Sequence, residues 1–558
     1  MLEVRIEGMT CEGCEKTIRG TLEGTPEVTH VWNVNWKNGA ARIEVEETME
    51  ECFLVSAIEK LGYKVKAAPG EGRSQQAEEE HSGTRVNFKS RAKDGDFDLL
   101  IIGAGSAGFA GAIRASELGA RVGLIEGGVI GGTCVNVGCV PSKTLIRAAE
   151  LQHRAQSKVF HGIFTSAKPP HWDEIRSQKD ELVSLLRKVK YIDVLKSYPN
   201  VEYIEGSAKP LKAGEVELSN GKRLKAQKIL ITTGARPWAP PIPGLNGVQY
   251  LDSTSVMNLE KLPKSMIVIG ASAVGLELAQ MFSRLGVKIT VIEVAPRIVP
   301  LEDQEIGDTL SQYLTEEGMN VFAGAKILKV SKYGQYEVEI DKDDKEVIAA
   351  EELLVATGRR PNTEHLGLKE CGVELGPKGH IKTNEYLQTN HPDVFAAGDC
   401  TSEAMFVYVS AYEGNLAAEN ALQGNARKFD VSVLPKVTFT DPQVASVGIT
   451  EIEAHAMGID PSWAKISLDH IPRAVAARDT RGFIKLVAES KTGKLIGAHI
   501  LAPEGGELIQ IPALAIKYGI TVDELGRTLF PYLTLSEGIK LCAQMFNKDV
   551  SKLSCCAA

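Results

Sequence analysis

The chain has 558 residues, which is too long for one ordinary domain and predicts about three to five of them. Its 63 Lys and Arg against 72 Asp and Glu give a net charge of −9, which excludes a general attraction to nucleic acid or anionic lipid. The N-terminus lacks the basic and then apolar order of a signal peptide, and no stretch reaches the roughly 20 apolar residues of a membrane span. We therefore expect a cytoplasmic protein that binds no nucleic acid and does not insert into a membrane.

Ten cysteines are too few for a disulfide scaffold in so long a chain, and their spacing points to chemistry. Six of them form an N-terminal pair (Cys11 and Cys14), a central pair (Cys134 and Cys139) and a terminal pair (Cys555 and Cys556). These three pairs are the candidate reactive or metal-binding groups. Cys52, in a predicted helix, is expected to be a core residue instead.

Residues 1–68 have the pattern of a small ferredoxin-like module. The segments LEVRIEGM, VTHVWNVNW, ARIEVEE and YKVKA predict strands, and CEGCEKTIRGTLEG and MEECFLVSAIEKLG predict helices, in the order β-α-β-β-α-β. Residues 69–95 are rich in Gly, Ser and charge and poor in apolar side chains, so we expect them to be a flexible linker.

From Asp96 onward, apolar strands alternate with helical patterns, which predicts doubly wound parallel sheets. Two strand-to-helix turns, in DLLIIGAGSAGFAGAIRASELGARVGLIE and SMIVIGASAVGLELAQMFSRLGVKITVIE, indicate an internal duplication. After about residue 430 the pattern changes to strands joined by turns, followed by the helical segment GGELIQIPALAIKYG. The predicted fold class is α/β with α+β: two doubly wound dinucleotide-binding domains, a C-terminal α+β interface domain and the N-terminal ferredoxin-like module.

The first turn has the spacing of a dinucleotide-binding motif, formed by Gly103, Gly105, Ser106, Ala107 and Gly108. Its first glycine permits a tight turn, the second lets a pyrophosphate approach the backbone, and the third lets helix and strand pack closely. Glu126 ends the next strand, where an acid binds ribose hydroxyls. A glycine turn without a ligand is the alternative, and the presence of strand, helix and acid together argues against it.

The second turn has Gly270, Ser272 and Gly275 at the same three positions. Serine is the smallest replacement for the middle glycine, so a dinucleotide is still expected to fit. Glu293 ends the next strand, and an acid there favours a free ribose 2′-hydroxyl over a 2′-phosphate. The sequence therefore leans towards NADH over NADPH, and Arg297 is the nearby cation that argues otherwise.

Between the two turns, the segment GGTCVNVGCVPSK holds the central pair, Cys134 and Cys139. A thiolate is the reactive form of cysteine, and its pKa falls near a cation or a helix N-terminus. A helix that begins near Pro141 would supply both its N-terminus and Lys143. Two cysteines buried in a core are the alternative reading.

The segment is similar to the signature of the FAD-dependent pyridine nucleotide-disulfide oxidoreductases, and the resemblance covers about residues 96–558. Supporting motifs are ITTGARP at 231–237, LLVATGRRPN at 353–362 and DVFAAGDC at 393–400. The resemblance implies FAD and NAD(P)H as cofactors and a homodimer; the family commonly uses NADPH. It divides the chain into an FAD-binding domain (96–245 and 363–430), an NAD(P)H-binding domain (246–362) and a dimerisation domain with the dithiol tail (431–558).

The family also implies roles for single residues. Cys139 matches the sulfur that lies against the flavin, and Cys134 matches the outer sulfur that meets the substrate. Lys143 and Glu277 match an ion pair beside the flavin, and Asp399 matches the aspartate that binds the FAD ribityl and phosphate region. Further cofactor-binding positions are Thr133, Gly234 and Gly358.

Disulfide-reducing members of the family carry a C-terminal histidine and glutamate that move a proton to the departing thiol. The matching stretch here is FPYLTLSEGIK, which keeps Glu537 but has Tyr532 in place of the histidine. Because the reference pKa of tyrosine is about 10, it is a poor proton shuttle at neutral pH. This argues for an acceptor that needs no such transfer, with Tyr532 in contact with a bound metal or with the active-site thiols.

Adjacent cysteines at a chain end, as in the terminal pair, are not expected to form a structural disulfide. The segment GMTCEGC, which contains the N-terminal pair, is similar to the heavy-metal-associated domains, whose two cysteines hold a soft ion. Thiolates select soft cations, and mercuric ion is softer than the metals of ordinary catalysis. We therefore expect Hg(II) as the substrate, delivered as thiol complexes and passed from the N-terminal pair to the terminal pair and then to the central pair.

Two alternatives stay open at this point. One is a dihydrolipoamide dehydrogenase-like disulfide reductase with a fused metal-binding domain, which would need the missing histidine. The other is a non-catalytic soft-metal chaperone or sensor, against which the central pair and both nucleotide turns argue.

Overall fold

The computed structural model describes residues 2–7, 12–24, 28–35, 40–45, 58, 61, 63–67, 96–212, 214–401 and 404–549. The chain divides into two compact units, Met1–Val86 and Asn87–Ala558. In the described ranges, no helix combines the length and the apolar character that crossing a bilayer requires. The predicted linker, 69–95, lies outside the described residues.

The N-terminal unit contains an antiparallel sheet and a helix packed on it. The elements are β1 (Leu2–Glu7), the helix Glu12–Glu23, β2 (Val28–Asn35), β3 (Ala40–Val45) and β4 (Lys64–Ala67), with the strands in the spatial order β2-β3-β1-β4. Ile18 and Leu22 are fully buried in the core with Ile6 and Ile43, because residues four apart share one helix face. The predicted second helix, 49–62, lies outside the described residues except for positions 58 and 61.

The large unit begins with a parallel sheet that an antiparallel hairpin extends. Its strands are β5 (Phe97–Ile102), β6 (Val122–Glu126), β7 (Val201–Glu205), β8 (Ala208–Lys212), β9 (Glu215–Leu218), β10 (Arg223–Ile231) and β20 (Val394–Ala396). The spatial order is β7-β6-β5-β10-β9-β8, with β20 also paired to β10. Helices Ser106–Glu117 and Val407–Gln423 pack so closely that a Cβ at Gly414 would collide with the carbonyl oxygen of Ala107. Residues far apart in sequence thus complete one domain around the first glycine turn.

The connection from β6 to β7 is helical. It contains helices Gly132–Val137, Cys139–Gln156, Trp172–Arg187 and Asp193–Leu195, with a π-helical turn at Lys188–Ile192. The second of these begins at Cys139, two residues before the start near Pro141 that the sequence suggested. Cys139 itself is therefore the first residue of the helix, which strengthens the expected effect of the helix N-terminus on its thiol.

The second doubly wound domain repeats the strand, glycine turn, helix and strand of the first. Its parallel sheet has the order β14 (Asn320–Ala323), β13 (Lys288–Glu293), β12 (Ser265–Ile269) and β18 (Glu352–Val355), with helices Ala273–Arg284 and Gln304–Glu316. An antiparallel meander follows β14 and comprises β15 (Lys326–Tyr333), β16 (Gln335–Asp341) and β17 (Lys345–Ala350). The short strands β11 (Ala235–Pro237) and β19 (Arg359–Pro361) pair where the chain enters and leaves this domain. Short 3-10 turns lie at Leu245–Gly247 and Val256–Asn258.

The C-terminal domain is an antiparallel sheet flanked by short helices. The strand order is β21 (Lys436–Thr438), β22 (Gln443–Gly448), β25 (Leu495–Ala502), β24 (Phe483–Glu489) and β23 (Pro461–Ser467). The helical segments are Glu451–Ala456, Leu468–His470, Pro472–Ala477, Gly505–Leu508, Gln510–Lys517, Val522–Arg527 and Glu537–Gln544. Lys485, which is almost fully buried, pairs with Asp303 at 2.8 Å and with Glu451 at 2.5 Å, so an ion cluster joins this domain to the second doubly wound domain. The α/β with α+β fold class predicted from the sequence is confirmed.

Candidate functional site

The central pair lies on two consecutive helices against the first glycine turn. Cys134 belongs to helix Gly132–Val137 and Cys139 begins the next helix. Gly132 has a φ of +61°, and a Cβ there would lie 2.6 Å from the Cα of Gly105, so only glycine lets the two loops approach this closely. Both cysteines are half-buried free thiols. The fold therefore brings the dithiol to the place where the glycine turn would hold a pyrophosphate.

The two sulfurs differ strongly in acidity. The pKa of Cys139 is lowered to about 6, because the Cys134 thiol hydrogen-bonds to its sulfur and because the positive charge of Lys143 is close, against the opposing effect of burial. The same hydrogen bond, together with burial, raises the pKa of Cys134 above its ordinary value. At neutral pH the pair is therefore a thiolate at Cys139 and a thiol at Cys134, and the two share a proton.

Lys143 forms the predicted contact with Glu277 across the two doubly wound domains. Its Nζ lies 2.6 Å from Glu277 Oε2 and 4.7 Å from the centre of the Phe439 ring. Glu277 is only 5 % exposed, and its Oε1 accepts a hydrogen bond of 2.9 Å from the backbone N–H of Phe439. Charged groups as buried as this need such partners. The three residues come from three domains, so domain packing fixes the ammonium beside the dithiol.

The first glycine turn has the shape of a phosphate cradle. Gly103 has a φ of +108°, and a Cβ there would lie 2.5 Å from the carbonyl oxygen of Thr232. A Cβ at Gly108 would collide with the Gly103 carbonyl oxygen. At Gly105, by contrast, a Cβ would meet nothing nearer than 3.7 Å, so the missing side chain leaves open space there instead of relieving a clash. This is the pattern that a pyrophosphate close to the backbone requires.

A cavity of about 990 Å³ runs from the glycine turn to the central pair. The sequence-predicted residues that line it are Gly103, Gly105, Ser106, Ala107, Glu126, Thr133, Cys134, Cys139, Lys143, Gly234, Glu277 and Asp399. Asp399 is positioned by Ser410, whose hydroxyl donates to it at 3.0 Å. Glu126 accepts hydrogen bonds of 2.7 Å from the N–H groups of Ala104 and Gly128. The open space, the acid and the exposed glycine backbone suit a dinucleotide such as FAD.

The second glycine turn has the same geometry as the first. Gly270 has a φ of +104°, and a Cβ there would lie 2.5 Å from the carbonyl oxygen of Ala356. Ser272 is the residue immediately before helix Ala273–Arg284, and a Cβ at Gly275 would collide with the Gly270 carbonyl oxygen. Gly358, with a φ of +129°, lies directly before strand β19. The second turn therefore has the local backbone geometry that a dinucleotide site requires.

The C-terminal candidates do not line this cavity within the described chain. Tyr532 is 57 % exposed, whereas Glu537 is 4 % exposed and its Oε2 has no hydrogen-bond partner among the described residues. Cys14 is half-buried on the helix of the N-terminal unit. Cys11, Cys52, Cys555 and Cys556 lie outside the described residues.

Sequence reasoning missed two residues beside the central pair. Tyr191, in the π-helical turn, lies close enough to both cysteines to interact with them electrostatically, and burial raises its pKa. Arg359 lines the cavity, 3.9 Å from Asp399, and burial lowers its pKa. Arg359 follows Gly358 in the motif LLVATGRRPN, so the sequence could have suggested it. Tyr191 gave no local signal, because tertiary packing alone brings its helix to the dithiol.

Three family models match the chain. The pyridine nucleotide-disulphide oxidoreductase model matches residues 97–414, its dimerisation domain matches 434–543, and the heavy-metal-associated domain matches 3–64. Together they account for both compact units.

The chain is similar over its full length to several mercuric reductases. Those of Lysinibacillus sphaericus and Staphylococcus aureus are each 42% identical, cover 100% of this chain and are themselves covered to 99%. The mercuric reductase of Streptomyces lividans is 44% identical over 83% of this chain and 98% of its own.

Solved structures with this fold include the HOCl-induced flavoprotein disulfide reductase RclA from Escherichia coli and LpdA from Mycobacterium tuberculosis. RclA is 29% identical with a TM-score of 0.72, covering 80% of this chain and 99% of that one. LpdA is 27% identical with a TM-score of 0.72, covering 81% and 99%. The chain belongs to the pyridine nucleotide-disulphide oxidoreductases and, within them, to the mercuric reductase family of NAD(P)H-dependent flavoproteins.

Proposed function

We propose that the protein reduces Hg(II), delivered as thiol complexes, to Hg(0) with electrons from NAD(P)H. The observation that carries this proposal is the thiol and thiolate pair of Cys134 and Cys139, half-buried beside Lys143 in the nucleotide cavity. Soft divalent mercury prefers two thiolate sulfurs to any other ligands that proteins offer. Full-length mercuric reductase relatives support the same activity.

The residues of the first doubly wound domain suit FAD. Gly105 leaves room for the pyrophosphate, Glu126 faces the ribose end of the cavity, and Asp399 lies further along it. When bound there, FAD supplies two-electron chemistry between nicotinamide and the dithiol. We assign 96–245 and 363–430 to this cofactor, 246–362 to NAD(P)H and 431–558 to dimerisation.

The central pair takes mercury by ligand exchange. The Cys139 thiolate attacks Hg(SR)₂ and displaces one thiolate, and the Cys134 sulfur displaces the other while its proton passes to a departing sulfur. One RSH and one RS⁻ therefore leave, and Hg(II) stays bound to both cysteines. Two electrons that come from NAD(P)H then convert Hg(II) to Hg(0), which has little affinity for thiolates. Both sulfurs are left as thiolates, and one proton from solvent restores the Cys134 thiol. Lys143 assists because its charge keeps Cys139 ionised.

The residues at the C-terminus favour mercury over a disulfide as the acceptor. A disulfide needs a proton for its leaving thiol, and Tyr532 replaces the histidine that would supply it. Tyr532 is exposed, so in a homodimer it would be available to the partner's site. In the same proposal, the tail with Cys555 and Cys556 acts at the partner's central pair, and the N-terminal unit supplies it with mercury.

The test is the oxidation of NADH and of NADPH by the purified FAD enzyme in excess small thiol, with and without mercuric salt. Lipoamide and glutathione disulfide are assayed in parallel. We expect oxidation that depends on mercury and little with either disulfide. Faster turnover of a disulfide would favour a dihydrolipoamide dehydrogenase-like enzyme. A yellow protein that NADH and NADPH fail to bleach without air would favour a non-catalytic chaperone or sensor.

A further inference from the structure

In the first doubly wound domain, a carboxylate is held in a fixed orientation at the position where the ribose of FAD is expected. Glu126 ends β6, and its two oxygens each accept a backbone N–H, one from Ala104 in the glycine turn and one from Gly128. The adenosine ribose of FAD carries a free 2′-hydroxyl. These two hydrogen bonds therefore fix the orientation of a carboxylate for a 2′-hydroxyl ligand, and each oxygen keeps a lone pair for it.

The second domain repeats this arrangement atom for atom. Glu293 ends β13, its Oε2 accepts the N–H of Ala271 at 2.7 Å, and its Oε1 accepts the N–H of Ala295 at 2.8 Å. Glu293 is buried, and its hydrogen bonds hold the negative charge at the end of the strand. A 2′-phosphate entering there would meet a fixed like charge, whereas a 2′-hydroxyl would donate to it.

The only lysine or arginine between Glu293 and Ala325 is Arg297. Its Nη2 donates to the carbonyl oxygen of Pro300 at 3.2 Å. Its Cδ is close to Gly307, since a Cβ added to that glycine would lie 3.4 Å from it. The aliphatic stem of this arginine thus packs along helix Gln304–Glu316. An arginine that recognises a phosphate presents its planar set of N–H groups to it. In Arg297 the Nη2 group is held by its own loop, and the Nε is buried without a hydrogen-bond partner among the described residues, so this side of the guanidinium is not presented to solvent.

We infer that the protein selects NADH over NADPH, and that Glu293 is the residue that determines this selection. The inference rests on the proposed assignment of residues 246–362 to the nicotinamide nucleotide. It extends that assignment by naming the ribose 2′-hydroxyl as the recognised group.

The test is a binding measurement without mercury and without turnover. Isothermal titration calorimetry of the FAD enzyme with ADP-ribose and with 2′-phospho-ADP-ribose compares the two adenosine ends directly. We expect ADP-ribose to bind at least about tenfold more tightly, since a desolvated like-charge contact disfavours the phosphate. Anaerobic bleaching of the flavin by NADH and by NADPH gives a second, kinetic comparison. Because no mercury is present, failure of the proposed mercury reduction would not change either result.

Three variants separate the roles of the residues. Glu293→Gln combined with Val294→Arg removes the negative charge of Glu293 and adds a cation at position 294, where the valine is 66 % exposed. This double variant should reduce or reverse the preference for ADP-ribose over 2′-phospho-ADP-ribose. Val294→Arg alone, which keeps the buried hydrogen bonds of Glu293, should narrow it less. Arg297→Gln is the matched control and should leave the ratio of the two dissociation constants unchanged.

Three results would overturn the inference. The first is equal or tighter binding of 2′-phospho-ADP-ribose to the unchanged enzyme. The others are a folded double variant with an unaltered ratio, and weaker binding of 2′-phospho-ADP-ribose to Arg297→Gln.

Discussion

At the scale of single residues, the reactivity of the central pair follows from its neighbours. The spacing of Cys134 and Cys139 predicts a redox pair, but only the structure gives their unequal acidities, because these depend on a hydrogen bond between the sulfurs and on Lys143. Lys143 is itself held by Glu277. The sequence could suggest this ion pair by resemblance, and it could not give the third partner, Phe439, which lies in another domain.

Replacing Lys143 by Met should raise the pKa of Cys139 above about 6, because the nearby positive charge is lost. In the unchanged enzyme the thiolate disappears as the pH falls through about 6, so alkylation by iodoacetamide should fall there too. Mass spectrometry of the alkylated residues at a series of pH values gives the midpoint. Cys542, which is buried with a pKa raised to about 12, is the internal control and should stay unmodified. An unshifted midpoint would show that Lys143 does not set the acidity of Cys139.

Tyr191 could not be recognised as a site residue from the sequence, but the structure places it beside the central pair. Its hydroxyl hydrogen-bonds with Ser106 of the first glycine turn, and both active-site cysteines interact with it. Tyr191→Phe should lower kcat for thiol-bound Hg(II) by about tenfold, the effect of losing one hydrogen bond near a charged group. Tyr203→Phe is the matched control, because burial also raises the pKa of this tyrosine but its charged neighbours are Glu126 and Glu205. Equal effects of the two variants would contradict a role for Tyr191 at the dithiol.

At the scale of elements, the two glycine turns were predicted well because their constraints are local. Strand, turn, helix and acid lie within a short stretch, and the first and third glycines of each turn have a steric reason that the spacing already implies. The helix was predicted to start near Pro141, because proline is common in the first turn of helices, and it starts two residues earlier, at Cys139. The dithiol loop meets the glycine turn through Gly132 and Gly105, a tertiary contact that spacing does not reveal.

Alanine at Gly105 and at Gly108 should have different consequences. At Gly108 the new Cβ collides with the Gly103 carbonyl oxygen, so the free energy of unfolding should fall by about 1 to 3 kcal/mol. At Gly105 the new Cβ has room in the empty fold, so stability without FAD should be nearly unchanged while FAD retention falls. Thermal unfolding of the FAD-free proteins and the flavin absorbance per protein chain measure the two effects. Normal FAD content in Gly105→Ala would argue against a pyrophosphate at this turn.

At the scale of the whole molecule, the chain combines two compact units, and the sequence of the predicted linker, 69–95, has no periodic pattern of apolar residues. The fold class was predicted correctly because composition and hydrophobic periodicity change along the chain. The spatial relation between the three cysteine pairs could not be predicted from the sequence, because it depends on how units and subunits meet. Only the central pair is formed by contacts within the described part of the large unit, so the relay between pairs is a question for experiment.

The terminal pair provides the sharpest test of that relay. Cys555→Ala combined with Cys556→Ala should leave anaerobic bleaching of the flavin by NADH unchanged, because the described residues that line the nucleotide cavity are all kept. Turnover of Hg(II) in excess small thiol should fall at least about tenfold, since the central pair would then have to compete alone with the thiols for each ion. Cys371→Ala, a change to a half-buried cysteine whose sulfur contacts the Pro210 carbonyl, is the control and should affect neither rate. Deleting residues 1–86, which form a separate compact unit, should preserve both reactions and slow mercury turnover only when mercury is scarce. If the tail variant kept full turnover under thiol excess, mercury would reach Cys134 and Cys139 directly, and the terminal cysteines would have no part in delivery.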